Sequence, residues 1–125
     1  MNGSLSGEHR MLRIHIGEED KYQRKHLSQL ILQKAREAGL PGCTLMKGMA
    51  GFGKGRRVHN EMQMEGAGWD LPIVIEVVGV SCSIDRFLKE VEPMLGGTLV
   101  TEERALVHHY SGRSEPAVKG EKNGT

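Results

Sequence analysis

The segment Gly48-Met49-Ala50-Gly51-Phe52-Gly53-Lys54 has the spacing that opens a phosphate-binding loop, G-x-x-x-x-G-K. Such a loop needs a Ser or Thr hydroxyl next, to hold Mg²⁺, and Gly55 stands there instead. Gly55–Val58 opens no apolar helical stripe, so no helix N-terminus faces a phosphate. The pattern therefore argues against a nucleotide triphosphatase. Gly51–Gly55 keeps the composition of a concavity of backbone N–H groups that suits an anion, and equally that of a flexible loop. Lys47–His59 carries Lys47, Lys54, Arg56 and Arg57 with no acid, while Glu61, Glu65 and Asp70 follow. The basic half can take phosphates; the whole can also be a solvated flap.

Six histidines raise a metal reading. His108 and His109 are adjacent, so on a strand they face opposite sides and cannot chelate together. His15 and one of that pair could meet if the first and last strands are neighbours. No Cys-x-x-Cys or His-x-x-x-His spacing supports a site, and satisfied structural or surface histidines are the preferred reading. Cys43 and Cys82 fall at strand ends without an activating partner, which suits free packing thiols in a reducing cytoplasm. Glu18, Glu19 and Asp20 read as a solvated turn. No catalytic residue is assigned.

The elements that position these residues must come from 125 residues, one domain's length, with a core that is aliphatic because aromatics are only 4%. Seventeen basic residues against sixteen acidic disfavour a generally basic nucleic-acid binder. The longest apolar run, Leu71–Val80, is interrupted by Glu76 and is too short for a membrane span. Residues 1–10 hold no apolar core of a secretory signal. Met1–Arg10 and Ser111–Thr125 read as flexible tails around a domain over Met11–Tyr110, since neither can bury enough surface to offset its ordering entropy.

Met11–Ile16 alternates, with Leu12, Ile14 and Ile16 on one face, and predicts a half-buried strand ended by Gly17 and the charged Glu18–Lys21. Leu27, Leu30, Ile31, Ala35 and Ala38 have helical spacing, stopped by Gly39–Gly42. Cys43–Met49 and Leu71–Val80 predict strands. Ser83 is the expected N-cap of a second helix carrying Ile84, Phe87, Leu88 and Val91, with Pro93, Gly96 and Gly97 at its end. Leu99–Tyr110 predicts a last strand, broken near Thr101–Glu103. The order β-α-β-β-α-β with right-handed crossovers gives an α+β, ferredoxin-like sandwich: an antiparallel sheet in order 4-1-3-2 with both helices on one face. Val74 and Val78 flank Glu76 on the face away from the helices, which implies a covering partner or self-association. A hairpin closes in two to five residues, so the roughly twenty of Ala50–Asp70 read as functional or disordered.

Leu12–Glu18 (LRIHIGE), Lys34–Leu40 (KAREAGL), Gly48–Gly53 (GMAGFG), Leu71–Glu76 (LPIVIE) and Gly97–Thr101 (GTLVT) together resemble the PII-like domain of unknown function of bacteria and archaea. The resemblance covers about Met11–Tyr110. It implies a homotrimer with the ferredoxin-like fold. It implies that Ala50–Asp70 is a T-loop reaching to partner proteins, and that Gly96-Gly97-Thr98 stands where PII signal proteins carry a phosphate-gripping B-loop. A small ligand is then expected in the cleft between subunits, between these loops.

Leu95–Val100 departs from the PII pattern in having no lysine, which leaves triphosphate binding without its usual charge. Ala50–Asp70 contains no Tyr, Ser or Thr, so uridylylation or hydroxyl phosphorylation within it is chemically excluded. The expected function is a cytoplasmic, non-catalytic, trimeric regulator whose loop is ordered by a small anion, expected to be an adenine nucleotide. The expected ligand residues are Gly51, Phe52, Gly53, Lys54, Arg56, Arg57, Gly96, Gly97 and Thr98. The resemblance suggests a membrane transporter as partner, without insertion of the chain itself in a membrane. Two alternatives share the fold class. A CutA-like metal-binding trimer needs a defined His or Cys site, and none is found. An RNA-binding sandwich needs aromatics on the central strands, and Met11–Ile16 and Leu71–Val80 have none.

Overall fold

Alternating aliphatic residues build the centre of the structure, a computed structural model that describes residues 7–52, 59–60 and 70–112. The strands β1 (Gly7–Gly17), β4 (Gly42–Lys47), β7 (Pro72–Gly79) and β8 (Leu99–Val107) form one sheet in the order β4-β7-β1-β8. The three pairings are antiparallel, with Ile14 opposite Ile75, Leu45 opposite Ile75 and Ile14 opposite Val100. This is the expected 4-1-3-2 arrangement. Two short strand pairs are added: β2 (Lys21–Tyr22) with β3 (Lys25–His26), and β5 (Ala50–Gly51) with β6 (His59–Asn60).

The helices α1 (Leu27–Glu37) and α2 (Ser81–Leu95) cover one sheet face. Leu27, Ile31 and Ala35 from α1 and Ile84, Phe87, Val91 and Leu95 from α2 meet Leu12, Ile14, Ile16, Ile73, Ile75 and Val77 in one core cluster. Leu12, Ile14, Ile75 and Val77 are fully buried, as period-two placement on one face requires. The helix α1 stops as its glycine predicts. Gly39 takes φ 74°, its N–H donates to Arg36 O at 3.1 Å, and Leu40 N–H donates to Ala35 O at 3.3 Å. These are the two bonds of a Schellman motif, and Leu40 packs back on the core.

Three local expectations are corrected. The strand β1 begins at Gly7, inside the segment read as a tail, because β8 continues alongside it and pairs Glu8 with Leu106 and Arg10 with Arg104. The strand β8 runs unbroken through Thr101–Glu103 for the same reason: β1 supplies a partner at every position. The N-cap of α2 is Val80, not Ser83, and Ser83 lies in the first turn. Pro93 stands in the last turn of α2, at the end of the helix as expected.

Candidate functional site

One end of the sheet gathers the segments of interest. There β1 finishes with Gly17 opposite Pro72, β4 finishes with Lys47 opposite Ile73, and β8 begins with Leu99 opposite His15. The long segment leaving β4 turns back at once. Gly48 N–H donates to Pro72 O at 2.7 Å, and Ala50 and Gly51 pair with Asn60 and His59. Met49 and Phe52 are thrown outward, 74% and 67% exposed, so this root offers apolar surface at its rim.

The return of the segment is fixed by the turn after β1. The Asp70 carboxylate accepts from Glu19 N–H at 2.7 Å, and Leu71 O accepts from Glu18 N–H at 2.8 Å. Asp20 closes the same turn by accepting from Gly17 N–H at 3.0 Å. A Cβ on Gly17 would lie 2.6 Å from the Asp70 carboxylate oxygens, so a side chain there must displace this carboxylate. Lys47 Nζ reaches Glu18 Oε2 at 3.0 Å across the same junction. Of the acids read as a solvated turn, Glu18 ties the end of β1 to Lys47 at the root of the loop, Asp20 closes the turn on Gly17, and Glu19 takes part through its N–H.

The connection from α2 to β8 is a tight turn. Gly96 sits at φ 58°, ψ −127°, and Thr98 N–H donates to Leu95 O at 3.1 Å. That is a type II′ turn, whose first central position demands glycine. The Thr98 hydroxyl also donates to Leu95 O, at 2.6 Å. Two polar hydrogens that could grip a phosphate are directed to one carbonyl.

Of the residues named from the sequence, Gly51, Phe52, Gly96, Gly97 and Thr98 are described, and all stand at this end of the sheet. Gly53, Lys54, Arg56 and Arg57 lie outside the described residues. Among the described residues of one chain, the root of the long loop does not pair with the Gly96–Thr98 turn. Pro72, against which Gly48 folds, is on β7, and β1 separates it from β8: two strand spacings, ~10 Å. A ligand touching both the described root of the loop and the turn of one chain spans that gap.

The conjectured meeting of His15 with His108 or His109 is contradicted. His15 is opposite Leu99 at this end, while β8 closes on Val107 opposite Gly7, eight positions away along β1, or ~27 Å. Among the described residues no group of three or more His, Cys, Asp or Glu is placed to hold a metal ion, and no helix is long and apolar enough to cross a membrane. Cys43 packs against the core, and burial pushes its thiol pKa up, which suits a packing residue rather than a nucleophile.

Sequence reading missed the β2–β3 hairpin. Gln23 and Arg24 link its strands at φ 53° and 72°, both left-handed, without the Asn-Gly or Gly-Gly that signals such a turn. It also missed the pairing on the open sheet face. Arg13 is opposite Glu76 in register, and its guanidinium donates to Glu76 at 2.9 Å and to Glu103 at 3.1 Å. Neighbouring central strands and the odd positions of Met11–Ile16 were signal enough to place Arg13 beside Glu76.

The chain is similar to known proteins over nearly this whole unit. The model of the DUF190 family, described as an uncharacterised ACR, matches residues 9–107. A UPF0166 protein of Aquifex aeolicus is 29% identical over 101 residues, covering 79% of this chain and 93% of the relative. A UPF0166 protein of Methanocaldococcus jannaschii is 26% identical over 108 residues, covering 84% and 94%. Among solved structures, CPII, a nitrogen regulatory PII-like protein from Thiomonas intermedia K12 bound to ADP, AMP and bicarbonate, superposes with a TM-score of 0.59 at 16% identity, over 80% of this chain and 88% of that one. A PII-like signalling protein from Thermus thermophilus gives 0.55 at 14% identity, over 86% and 94%. These structural likenesses establish a PII-like fold.

Proposed function

Because the chain belongs to the DUF190 family and carries a PII-like fold, we propose that it is a non-catalytic regulatory protein of the cytoplasm, acting as a homotrimer. It binds an adenine nucleotide in the clefts between subunits and uses Ala50–Asp70 as a T-loop toward a partner protein, a membrane transporter being the kind of partner PII resemblance suggests. The observation that carries this reading is the convergence at one sheet end of the loop root and the Gly96–Thr98 turn, in a fold that in CPII holds ADP and AMP.

The turn favours a short phosphate chain. It has no lysine, and Thr98 directs both its N–H and its hydroxyl to Leu95 O. ADP or AMP therefore suits it better than ATP. The ligand acts by differential affinity for two states of the loop, and the loop then presents or withdraws its surface. Gly55, where hydrolysis needs a hydroxyl, leaves the chain without the Mg²⁺ ligand of a P-loop.

A thermal-shift series with AMP, ADP, ATP, bicarbonate and divalent metals tests the reading, because a ligand selective for the native state raises the melting temperature. The expected result is stabilisation by ADP or AMP above that by ATP, with no nucleotide turnover. Stabilisation by a metal alone, or ATP hydrolysis abolished by Lys54→Ala, overturns it.

A further inference from the structure

The strand β8 leaves one edge open. It runs nine residues, and its register with β1 passes from Leu99 opposite His15 to Val107 opposite Gly7 without a bulge. Its other edge pairs with no strand among the described residues. Proteins blunt such edges with proline, lysine or a bulge. Leu99–Val107 has none of these, and Leu99 and Leu106 are 57% and 64% exposed. The helices do not overhang it: Glu102, Arg104 and Leu106, on the same face as the core residues of β1, are all exposed.

Charge is unbalanced across this edge. Arg104 stands opposite Arg10, a like-charged cross-strand pair. The acids that compensate them come from neighbouring rows: Glu8 Oε2 lies 2.7 Å from Arg104 Nε, and Glu102 Oε2 lies 3.7 Å from Arg10 Nε. On the outer side of Arg104, in its own row, no described strand supplies an acid.

A second copy of β8 complements this pattern. In an antiparallel ladder alternate residues turn both N–H and C=O to the same neighbour, so the outward groups of β8 belong either to its odd or to its even residues. A two-fold copy must therefore set odd against odd and even against even, which also keeps the two sheet faces continuous. Centred on Glu102, such a pairing faces Glu102 with itself and Val100 with Arg104. Centred on Arg104, it faces Arg104 with itself and Glu102 with Leu106. Centred on Glu103, it uses the whole strand: Leu99 with Val107, Val100 with Leu106, Thr101 with Ala105 and Glu102 with Arg104, each twice. The exposed leucines then meet valines, and each Arg104 gains the acid missing from its row. The one like pair, Glu103 with its copy, is compensated in each chain by Arg13, whose guanidinium lies 3.1 Å from Glu103.

We propose that the outer edge of β8 is a contact surface for β8 of a second copy of this chain, paired antiparallel about Glu103, with Glu102 of each chain against Arg104 of the other. A contact of one strand pair is small, so it is weak and reversible. It does not rest on the trimer reading. It doubles whichever unit the chain forms: one chain becomes two, and three become six where the two-fold axes close.

The test uses the full chain in analytical ultracentrifugation from micromolar to submillimolar concentration. The mass is expected to double over that range, and salt to weaken the association. Arg104→Glu and Glu102→Arg, each alone, set like charges together twice and are expected to weaken it at least about tenfold. The Glu102→Arg/Arg104→Glu double variant exchanges the signs and is expected to restore it, with melting temperatures checking that all three variants fold. Crosslinking gives an independent readout. In a Cys43→Ala/Cys82→Ser background, Glu103→Cys is expected to link two chains by a disulfide on mild oxidation. Leu106→Cys, opposite Val100 and so ~20 Å from its own counterpart, is not.

A mass that does not change with concentration, a double variant as weak as the single ones, or crosslinking through Leu106→Cys equal to that through Glu103→Cys overturns the proposal. Doubling from one chain upholds this contact and defeats the trimer reading. A trimer that never doubles does the reverse.

Discussion

Arg13 Nε lies 2.9 Å from Glu76 Oε2 at the middle of the sheet face that the helices leave open. The same guanidinium reaches Glu103 at 3.1 Å, and the two carboxylates, Glu76 foremost, hold its pKa above the ordinary arginine value. The pair is about a third exposed in the single chain (34% and 28%), and Met11, Val74 and Val78 occupy neighbouring open-face positions of β1 and β7. An ionic pair with half-buried Met11, Val74 and Val78 beside it along the strands, and exposed Thr44 and Thr101 across them, suits a face that associates with copies of itself, where one fixed charge pattern selects the register.

Light scattering at micromolar concentration is expected to give a mass near three chains. Glu76→Gln is expected to lower the apparent stability in a concentration-dependent way, because it leaves Arg13 under-compensated on a covered face. A monomer whose stability is indifferent to Glu76→Gln contradicts self-association through this face, since an exposed pair contributes little.

The turn at Gly96 makes a sharper prediction for stability. Its φ 58°, ψ −127° is glycine territory, although a Cβ there would meet no atom within 4 Å. Gly96→Ala should cost ~1–3 kcal/mol through backbone strain alone. Gly97→Ala, with equally open space and no left-handed φ, should cost markedly less. Urea denaturation of the two variants checks the difference, and equal effects would refute the type II′ assignment.

Asp70 and Gly17 are coupled by close approach. Asp70→Ala removes the acceptor for Glu19 N–H and should cost about 1 kcal/mol. Gly17→Ala drives a methyl into the Asp70 carboxylate and should undo the same bond. The double variant should therefore lose less than the sum of the two single losses. Strict additivity in a double-mutant cycle would show that the loop root is not tied to β1 in this way.

The two cysteines should differ in reactivity. Burial raises the Cys43 thiol pKa, while Cys82 is exposed on the first turn of α2. Iodoacetamide at pH 8 is expected to modify Cys82 first and Cys43 only on slower opening of the structure. A raised acid pKa means that the neutral thiol is favoured in the folded state. Its contribution to stability is complete below the ordinary thiol pKa and is lost as pH rises through the folded value. Cys43→Ala should flatten that alkaline decline, as thermal melts from pH 7 to 10 would record.

The frame of the fold was legible because its signals are redundant. Leu12, Ile14 and Ile16 alternate, Gly39 ends α1, and the β-α-β-β-α-β order leaves few topologies. What escaped were features decided by partners rather than by local pattern. Glu8 and Arg10 carry no strand signal of their own and are strand because β8 lies beside them. Lys21–His26 reads as a charged run, since strands of two residues have no period and Gln23-Arg24 is not a turn signature. Asp70 looks like any loop acid until β1 brings Glu19 N–H to it. The candidate site was half legible: its glycines are visible as glycines, but the loss of the Thr98 donors to Leu95 O is a matter of turn geometry.

Hydrogen exchange of the full chain with and without ADP tests the regulatory account most directly. On the proposed reading, an anion orders the loop through charged hydrogen bonds to Lys54, Arg56 and Arg57. Gly51–Arg57 should exchange fast without ligand and become protected with it, and Arg56→Ala/Arg57→Ala should weaken ADP binding while leaving the ligand-free melting temperature unchanged. Equal exchange of Gly51–Arg57 in both states, under conditions where ADP demonstrably binds, would contradict a ligand-controlled loop.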